Sequence, residues 1–382
     1  MIPLSVPSLK GNELKYLKEC IKTEYVSSVG KYVGLFEKKV CNYTGSKYAV
    51  ACSSGTSAIQ LALRTVGVRE NDEVIIPTLT FIATANAPRY LKAIPIFMDC
   101  DRFYNLDTKK LVTFVENNTY LKNGYSFNKK TNRRISAILP VHVSGNAVDL
   151  SKIIKLCKKR KIKIVEDAAE SFGTFYNKGN LKNKHTGTVG DVGCLSFNGN
   201  KIITSGGGGM ILTNNKKIAD FARYLSTQAT DDSINYVHHN IGYNFRLTNI
   251  QAAVGLAQLE KIKHFLGRKK QIYNFYKKEL KNIKNVSFVL EPDHAKNNHW
   301  MMSILLKKNS HKMRLIKFLK EKNIQTRSIW LPCHMQKQYK KYEKYKISNA
   351  EKFFKKTINI PCSTNLNIGS AKKVVKSIAM FF

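Results

Sequence analysis

The chain has no long apolar run and no segment that resembles a targeting signal. None of its apolar runs approaches the ~18 residues that a membrane-spanning helix requires. The first residues, Met1 to Pro7, lack the basic start and the apolar stretch of a secretory signal. We therefore expect a cytoplasmic protein without a membrane partner.

Closely spaced cysteine pairs are also missing. The 382 residues include eight cysteines, and no two of them form a Cys-x-x-Cys pair. Scattered cysteines of this kind are typical of reduced, mostly buried thiols, and not of a disulfide framework or a zinc site. The sequence therefore predicts no bound metal.

Acidic residues are scarce, since 26 Asp and Glu stand against 64 Lys and Arg, a formal net charge of +38. Such an excess can indicate a polyanionic partner. Here the excess is mostly lysine and is spread along the chain. Its local clusters at 155–163, 261–270 and 337–346 are interpreted as the solvated faces of amphipathic helices. We expect no nucleic-acid partner, and a basic nucleic-acid-binding regulatory protein is the non-enzymatic alternative.

Hydrophobic residues make up 43% of the chain, enough for a sizeable core. From Tyr48 to Asp167, strand-like apolar runs alternate with helical patterns, which predicts an α/β fold with a mostly parallel central sheet. The predicted strands include Tyr48–Cys52, Glu73–Pro77 and Ile135–Val143. The polar stretch 117–134 is expected to be a loop. We predict a large α/β domain over residues 1–250, and a long linking helix with a small C-terminal α+β domain over 251–382.

Several polar groups fall at or just after the ends of predicted strands. They are Ser53–Ser57, Phe81, Asp167 and Lys201. Because ligands of such sheets bind at the carboxyl ends of the strands, we expect one shared site there. Ser53–Ser57 also precedes a predicted helix and has the outline of an anion site, although an ordinary N-cap explains it equally well.

Lys201 stands just before four consecutive glycines, Gly206 to Gly209. A lysine in a partly dry pocket can lose its proton near neutral pH and form a Schiff base. The alternative interpretation of Lys201 is a solvated loop lysine. For Asp167 the alternative is a helix cap or a surface acid. Together, a Schiff-base lysine, an aspartate and a phosphate-binding loop are what pyridoxal 5'-phosphate needs from a protein.

Three motifs resemble one known family, the DegT/DnrJ/EryC1/StrS sugar-nucleotide aminotransferases. They are Glu166–Ser171, Gly190–Gly193 and Ser196–Lys201. The resemblance extends over nearly the whole chain and implies the type I fold of aminotransferases that depend on pyridoxal phosphate. It also implies an obligate homodimer with shared active sites.

The resemblance implies roles for individual residues. Lys201 corresponds to the catalytic Schiff-base lysine, Asp167 to the partner of the pyridine nitrogen, and Glu170 to a position near the ring hydroxyl. The remaining cofactor contacts would come from a phosphate loop, a stacking aromatic ring and an asparagine of the neighbouring subunit: Gly55, Thr56, Ser57, Ser196, Phe81 and Asn244. Expected substrate contacts are Ser28, Arg327, Trp330 and His334.

Four segments point to one branch of the family: Tyr25–Gly30, His185–Thr188, Asn198–Thr204 with the glycines that follow it, and Thr326–Trp330. In these segments the chain most resembles the branch that serves bacillosamine and legionaminic acid synthesis. This similarity implies transfer of an amino group from L-glutamate to C4 of UDP-4-keto-6-deoxy-GlcNAc, in a pathway of surface-glycan or protein glycosylation. The alternative substrate is a GDP- or dTDP-linked 4-keto-6-deoxy sugar. Some relatives carry histidine in place of the lysine and dehydrate the sugar instead, and Lys201 argues against that reaction here.

Overall fold

Strands and helices alternate through most of the chain in the computed structural model, which describes residues 1–382. The twelve helices are α1 (Glu13–Lys22), α2 (Lys31–Thr44), α3 (Gly55–Thr65), α4 (Ile82–Tyr90), α5 (Thr108–Asn118), α6 (Ser151–Arg160), α7 (Lys216–Ser226), α8 (Asn249–Glu260), α9 (Ile262–Glu279), α10 (His311–Glu321), α11 (Asn349–Lys356) and α12 (Ile368–Phe381).

The strands are mostly short, and most of them belong to two sheets. They are β1 (Tyr48–Cys52), β2 (Glu73–Pro77), β3 (Ile94–Met98), β4 (Thr119–Lys122), β5 (Tyr125–Asn128), β6 (Ile135–Ile138), β7 (Lys163–Asp167), β8 (Phe175–Tyr176), β9 (Val192–Ser196), β10 (Gly209–Thr213), β11 (Val286–Phe288), β12 (Ala295–Lys296), β13 (Met302–Leu306), β14 (Arg327–Ser328), β15 (Lys344–Tyr345) and β16 (Thr357–Ile360).

The larger sheet has eight strands in the order β1-β10-β9-β7-β6-β2-β3-β15. Only β10 runs antiparallel to its neighbours, β1 and β9. All other pairs are parallel. The mostly parallel α/β sheet predicted from the sequence is therefore confirmed, and the carboxyl ends of β2, β6, β7 and β9 meet along one edge.

Helices cover both faces of this sheet. Along β2, Val74 and Ile76 point to one face, where they pack with α3, α4 and α7. Ile75 points to the other face and joins a cluster with α5 and α6, next to the cluster built by α2 and α8. A sheet buried on both faces needs continuous apolar runs and not alternation, which is the pattern that these strands show.

The smaller sheet is antiparallel, in the order β11-β13-β16-β14. Its core is formed with side chains of α9, α10 and α12, among them Ile272, Leu315 and Val374. The division of the chain at residue 250 stays a prediction. Helix α8 packs against α1 and α2, on the side of the larger sheet. No helix combines the length and the apolar character that crossing a membrane demands.

Three local expectations were wrong. The stretch 117–134 contains the hairpin β4–β5, in which Thr119 pairs with Asn128. The lysine-rich segment 337–346 is not an amphipathic helix, because it consists of a short 3-10 turn followed by β15, which pairs with β3. The strand expected at 135–143 stops at Ile138, and a 3-10 turn follows at Val143–Gly145.

Asp99, which follows β3, ties the larger sheet to a helix that is distant in sequence. Its buried carboxylate accepts the backbone N–H groups of Asn349 at 3.0 Å and Ala350 at 2.9 Å, in the first turn of α11. The Lys110 ammonium lies 2.6 Å away. Burial by itself would raise the pKa of Asp99, but these donors outweigh burial and the pKa is lowered.

We expect Asp99→Asn to destabilise the protein by about 2–3 kcal/mol at neutral pH, because Lys110 loses its counter-charge and the α11 N–H groups lose a charged acceptor. The measurement is urea unfolding at several pH values. Since the folded-state pKa of Asp99 is lowered, its contribution is present above the ordinary aspartate range and is lost as the pH falls through the folded-state pKa. The difference in the free energy of unfolding between Asp99→Asn and the parent protein should therefore become smaller in acid.

The matched control is Asp220→Asn, which removes a carboxylate from an exposed pair with Lys216. We expect little change in stability there, because exposed ion pairs are well solvated. Equal stability of Asp99→Asn and the parent protein at neutral pH would contradict the role assigned to Asp99.

Candidate active site

A cavity of about 570 Å³ opens at the carboxyl ends of the parallel strands. Nine of the thirteen residues predicted for the site line it: Gly55, Thr56, Phe81, Asp167, Glu170, Ser196, Lys201, Arg327 and Trp330. They come from five separate parts of the chain. The shared site that the strand ends suggest is therefore present as one cavity.

Lys201 lies in the loop between β9 and β10, with its side chain 14% exposed. Its Nζ is 3.8 Å from Glu170 Oε1 and 4.0 Å from the centre of the Trp300 ring. Burial lowers the pKa of Lys201, while the charges of Glu170 and Asp167 act in the opposite direction. A larger fraction of the amine is thus neutral and nucleophilic at physiological pH than for an exposed lysine.

The glycines after Lys201 let the loop approach the start of α3. A Cβ at Gly209 would lie 2.3 Å from the Ser54 carbonyl oxygen, so no side chain fits there. Gly208 has φ of +119°, a conformation that favours glycine. These two positions give a physical reason for part of the glycine run seen in the sequence.

Asp167 ends β7 and its side chain is buried. Its Oδ2 accepts a hydrogen bond from Thr84 Oγ1 at 2.8 Å, and its Oδ1 accepts the Ala169 N–H at 3.1 Å. Burial raises the pKa of Asp167, and these donors oppose the change. The carboxylate is thus held in one orientation. Thr84, in α4, had not been singled out from the sequence, because a threonine in a helix carries no signal of such a contact.

Glu166, one residue earlier, points to the opposite face of β7. Its buried carboxylate accepts the Gly187 and Gly190 N–H groups at 2.8 and 2.6 Å, and His142 Nε2 lies 2.9 Å away. Burial would raise the pKa of Glu166, but the contact with His142 and the backbone donors lower it. This buried anion fixes the loop before β9 from behind, which stabilises the strand end that carries Asp167.

Glu170 is buried beside Lys201. Its Oε2 accepts the backbone N–H of Ser144 at 2.8 Å. Burial raises the pKa of Glu170 to about 7, with the Lys201 charge acting against the increase. Glu170 therefore changes its protonation state in the neutral range, within 4 Å of the amine. The two groups form a coupled pair that can share or exchange a proton.

The first turn of α3 faces the cavity with its free backbone N–H groups. Ser54 caps the helix and accepts the Ser57 N–H at 3.0 Å, while the Ser57 hydroxyl receives the Ser54 N–H in return. The N–H groups of Gly55 and Thr56 have no intrahelical partner and are suited to an anion. A Cβ at Gly55 would meet the Ser196 side chain at 2.8 Å, so the two residues form a close cradle.

Four predicted residues do not line the cavity: Ser57, Ser28, Asn244 and His334. The Ser57 hydroxyl is engaged in the helix cap. His334 is buried, with its Nδ1 2.7 Å from Thr78 Oγ1 and its Nε2 3.2 Å from Glu351. These contacts occupy both ring nitrogens, so His334 supports the fold at this point and does not face the cavity.

Ser28 and Asn244 lie on the outside of the chain. The Ser28 carbonyl accepts a hydrogen bond from Arg246 Nη2 at 2.8 Å, and Asn244 is exposed. Neither side chain reaches the cavity of its own chain. Cavity-lining residues that the sequence analysis did not single out include Asn198, Asn200, Trp300, Met301 and Asn359.

The residues of the cavity fit pyridoxal phosphate. The chemistry of the set matches, with an amine, an oriented carboxylate and a helix N-terminus beside a serine hydroxyl. The Asn200 Oδ1 atom is buried in the cavity lining without any hydrogen-bond partner, which leaves an acceptor for a ligand. No group of three His, Cys, Asp or Glu side chains is close enough to hold a metal ion.

Comparison with known proteins agrees with this chemistry. The sequence pattern of the DegT/DnrJ/EryC1/StrS aminotransferase family matches residues 7–379. GDP-perosamine synthase of Escherichia coli O157:H7 is 37% identical, over 100% of this chain and 98% of that protein. The UDP-4-amino-4,6-dideoxy-N-acetyl-beta-L-altrosamine transaminase of Campylobacter jejuni is 31% identical, over 98% of this chain and 96% of that protein.

Solved structures show the same fold. A DegT DnrJ EryC1 StrS aminotransferase from Brucella abortus superposes with a TM-score of 0.87 at 26% identity, covering 97% of this chain and 95% of that one. The family pattern spans almost the entire sequence, and the site contains the groups that the cofactor needs. The chain therefore belongs to the DegT/DnrJ/EryC1/StrS family and is a sugar-nucleotide aminotransferase that depends on pyridoxal phosphate.

Proposed function

We propose that this enzyme transfers the amino group of L-glutamate to C4 of a nucleotide-linked 4-keto-6-deoxyhexose. The observation that carries the proposal is the buried Lys201 amine, 3.8 Å from Glu170, in the cavity that also holds Asp167. An amine with a lowered pKa can both bond covalently to a carbonyl carbon and move a proton.

Each residue of the cavity has a task in this proposal. Lys201 Nζ would hold pyridoxal phosphate covalently, Asp167 would pair with its ring nitrogen, and Phe81, 55% exposed at the rim, would cover its ring. The N–H groups of Gly55 and Thr56, with the Ser196 hydroxyl, would bind its phosphate. When bound, the cofactor supplies an electron-accepting ring that stabilises a carbanion.

The proton transfers are assigned to the Lys201–Glu170 pair. Lys201 Nζ, once free and neutral, would move the proton from Cα of glutamate to the cofactor. In the second half of the reaction it would move a proton from the cofactor to C4 of the sugar. Glu170, whose pKa is raised to about 7, lies within 4 Å of that nitrogen and can exchange a proton with it. The hydrogen bonds from Thr84 and Ala169 orient Asp167 and favour its charged form against the effect of burial.

Arg327 and Trp330 are proposed to bind the nucleotide-sugar at the mouth of the cavity. Besides Lys201, Arg327 is the only basic residue that lines the cavity, although the chain has 64 Lys and Arg. A guanidinium suits both a carboxylate and a diphosphate, since its donors match planar and branched oxyanions. Arg327 lies on β14, an edge strand of the smaller sheet, so substrate contacts would come from both sheets.

The nucleotide is the least constrained part of the proposal. The resemblance to the bacillosamine and legionaminic acid branch favours a UDP-linked N-acetyl sugar. Overall identity favours a GDP-linked sugar, because the GDP-perosamine synthase is 37% identical and the UDP-sugar transaminase 31%. We propose the GDP-linked 4-keto-6-deoxyhexose as the first substrate to test, and UDP-4-keto-6-deoxy-GlcNAc as the second.

We further propose that the active enzyme is a homodimer. The segment before Asn244 exposes large apolar side chains to a degree that is costly for a monomer: Ile234 is 85% exposed, Tyr236 79% and Ile241 82%. Asn244 itself is exposed and does not line its own cavity, so it is free to contact the cavity of a second copy.

Replacing Lys201 by Ala should lower turnover by at least about 10³-fold while the fold is kept, because the nucleophile and the proton carrier are both lost. The assignment is checked by borohydride reduction of the holoenzyme and peptide mapping, which should place the pyridoxyl group on Lys201. Lys216→Ala, at an exposed position in α7, is the control and should keep full activity. A pyridoxyl group on another lysine would refute the assignment.

A panel of GDP-, UDP- and dTDP-linked 4-keto-6-deoxy sugars, each with L-glutamate, tests the substrate proposal. We expect 2-oxoglutarate and a 4-amino sugar from the GDP sugar, with kcat/KM at least about 10-fold above the values for the other sugars. A nucleobase that does not match the site leaves polar groups of the site without hydrogen-bond partners, which is costly. Preference for the UDP sugar would support the substrate expected from the sequence. Preference for the dTDP sugar would contradict both the GDP and the UDP proposals.

The dimer is tested by the double variant Ile234→Asp/Ile241→Asp. Two carboxylates in an apolar contact should shift sedimentation from dimer to monomer at micromolar concentration and reduce activity. Met313→Asp, on α10 and 68% exposed, is the matched control and should stay dimeric. A parent protein that sediments as a fully active monomer would overturn this part of the proposal.

A further inference from the structure

Trp300 forms one wall of the cavity and is in direct contact with the reactive lysine. Its ring centre lies 4.0 Å from Lys201 Nζ, which is the range of a cation–π contact. The side chain is only 4% exposed, so the contact is shielded from water. No motif in the sequence points to this residue, which lies 99 positions after Lys201 in the chain.

Two hydrogen bonds fix Trp300, one from its indole and one from its backbone. Its Nε1–H donates to the carbonyl of Asn200 at 2.6 Å. Asn200 directly precedes Lys201, so this bond attaches the ring to the backbone that carries the amine. The backbone N–H of Trp300 donates to Asn298 Oδ1 at 2.8 Å, and Asn298 in turn donates to the Glu170 carbonyl at 2.9 Å. Trp300 is therefore connected to the backbone beside Lys201 through its indole, and to the Glu170 backbone through Asn298.

A second buried lysine holds Trp300 from behind. Lys269, in α9, is 2% exposed, and its Nζ donates to the Trp300 carbonyl at 2.8 Å. The Cys362 thiol contacts the same carbonyl at 3.5 Å. Lys269 has no acidic partner within ion-pair distance, and burial lowers its pKa. A buried lysine without a counter-ion is costly to keep, and its hydrogen bond to Trp300 gives it a use.

We propose that Trp300 is a positioning residue for Lys201, and that Lys269 acts through Trp300 by holding its backbone in place. The proposal rests on the proposed role of Lys201 and adds the structure that orients it. A lysine side chain has four flexible bonds, and reaction at a carbonyl carbon requires its amine in one place. The ring face restricts Lys201 Nζ to the side of the cavity where Glu170 lies.

The contact also affects proton affinity. The face of an aromatic ring favours the charged form of an amine, so Trp300 acts against burial and in the same direction as Glu170 and Asp167, the acidic groups that face Lys201. Removing the ring should therefore lower the pKa of Lys201 and, at the same time, loosen its position. These two effects can be measured separately.

The first test uses Trp300→Leu and Trp300→Phe in the full-length chain after removal of the cofactor. Competitive labelling of amines across a pH series, read by mass spectrometry of the Lys201 peptide, gives its pKa. We expect Trp300→Leu to lower it by about half a unit to one unit. Trp300→Phe keeps a ring and should change it by less than half of that.

The second readout is the rate of Schiff-base formation with added pyridoxal phosphate, followed by absorbance above the pKa of Lys201. Under those conditions the amine is neutral in every variant, so the rate reports position alone. We expect about a 10-fold loss for Trp300→Leu and a smaller loss for Trp300→Phe, which lacks the bond to Asn200.

Lys269→Met tests the support behind the ring, and Lys312→Met is its matched control. Lys312 is also buried and also donates to a backbone carbonyl, that of Phe354, under an aromatic ring 4.2 Å away. Both variants should lose stability. Only Lys269→Met should slow Schiff-base formation, by about 3-fold.

Unchanged pKa and unchanged rate in a folded Trp300→Leu protein would overturn the proposal. Equal effects of Lys269→Met and Lys312→Met would overturn the part assigned to Lys269. Each of these results can occur while borohydride still labels Lys201, so failure of this inference is distinguishable from failure of the proposed function. Loss of the Lys201 label in the parent protein would instead remove the basis of both.

Discussion

The site depends on one arrangement: two carboxylates lie near a buried amine and favour its charged form. Burial favours the neutral form of all three groups. It lowers the pKa of the Lys201 amine and raises the pKa of the Glu170 and Asp167 carboxyl groups. Their mutual attraction acts against burial in each case. The balance leaves Glu170 with a pKa of about 7 beside an amine whose pKa is lowered, an arrangement that neither group would have alone in water.

This balance requires Lys201, Glu170 and Asp167 to lie close together and shielded from water. The sheet topology brings them to one such site. Asp167 ends β7, Ser196 ends β9, and the helix that begins with Gly55 follows β1. Parallel neighbours place β7 and β9 with their carboxyl ends side by side. The single antiparallel strand, β10, returns the chain across the sheet and brings the glycine run against the start of α3.

Much of the larger sheet could be predicted because its signals are local. Continuous apolar runs bounded by polar turns mark β1 and β2 to the residue, and the same reasoning places the polar groups at their ends. Where the signal is not local, prediction failed. The basic segment at 337–346 has helix-like spacing, yet pairing with β3 determines its structure.

The candidate site shows the same limit. Thr84 and Trp300 contact Asp167 and Lys201 from helix α4 and from the turn before β13, and nothing in their own neighbourhoods marks them. The resemblance implies a substrate contact for His334, but Thr78 and Glu351 contact both of its ring nitrogens. A resemblance transfers positions, whereas contacts of this kind come only from the packed structure.

The path of the chain between the two sheets has a further consequence. After β14 in the smaller sheet the chain adds β15 to the edge of the larger one, then returns to the smaller sheet with β16. At the other end, Ile2 bonds with Asn323 and Gln325 beside α10. The chain thus passes between the two sheets several times, and they are not joined by a single linker. Neither sheet is therefore built from one contiguous segment, and no single cut in the chain separates the two halves.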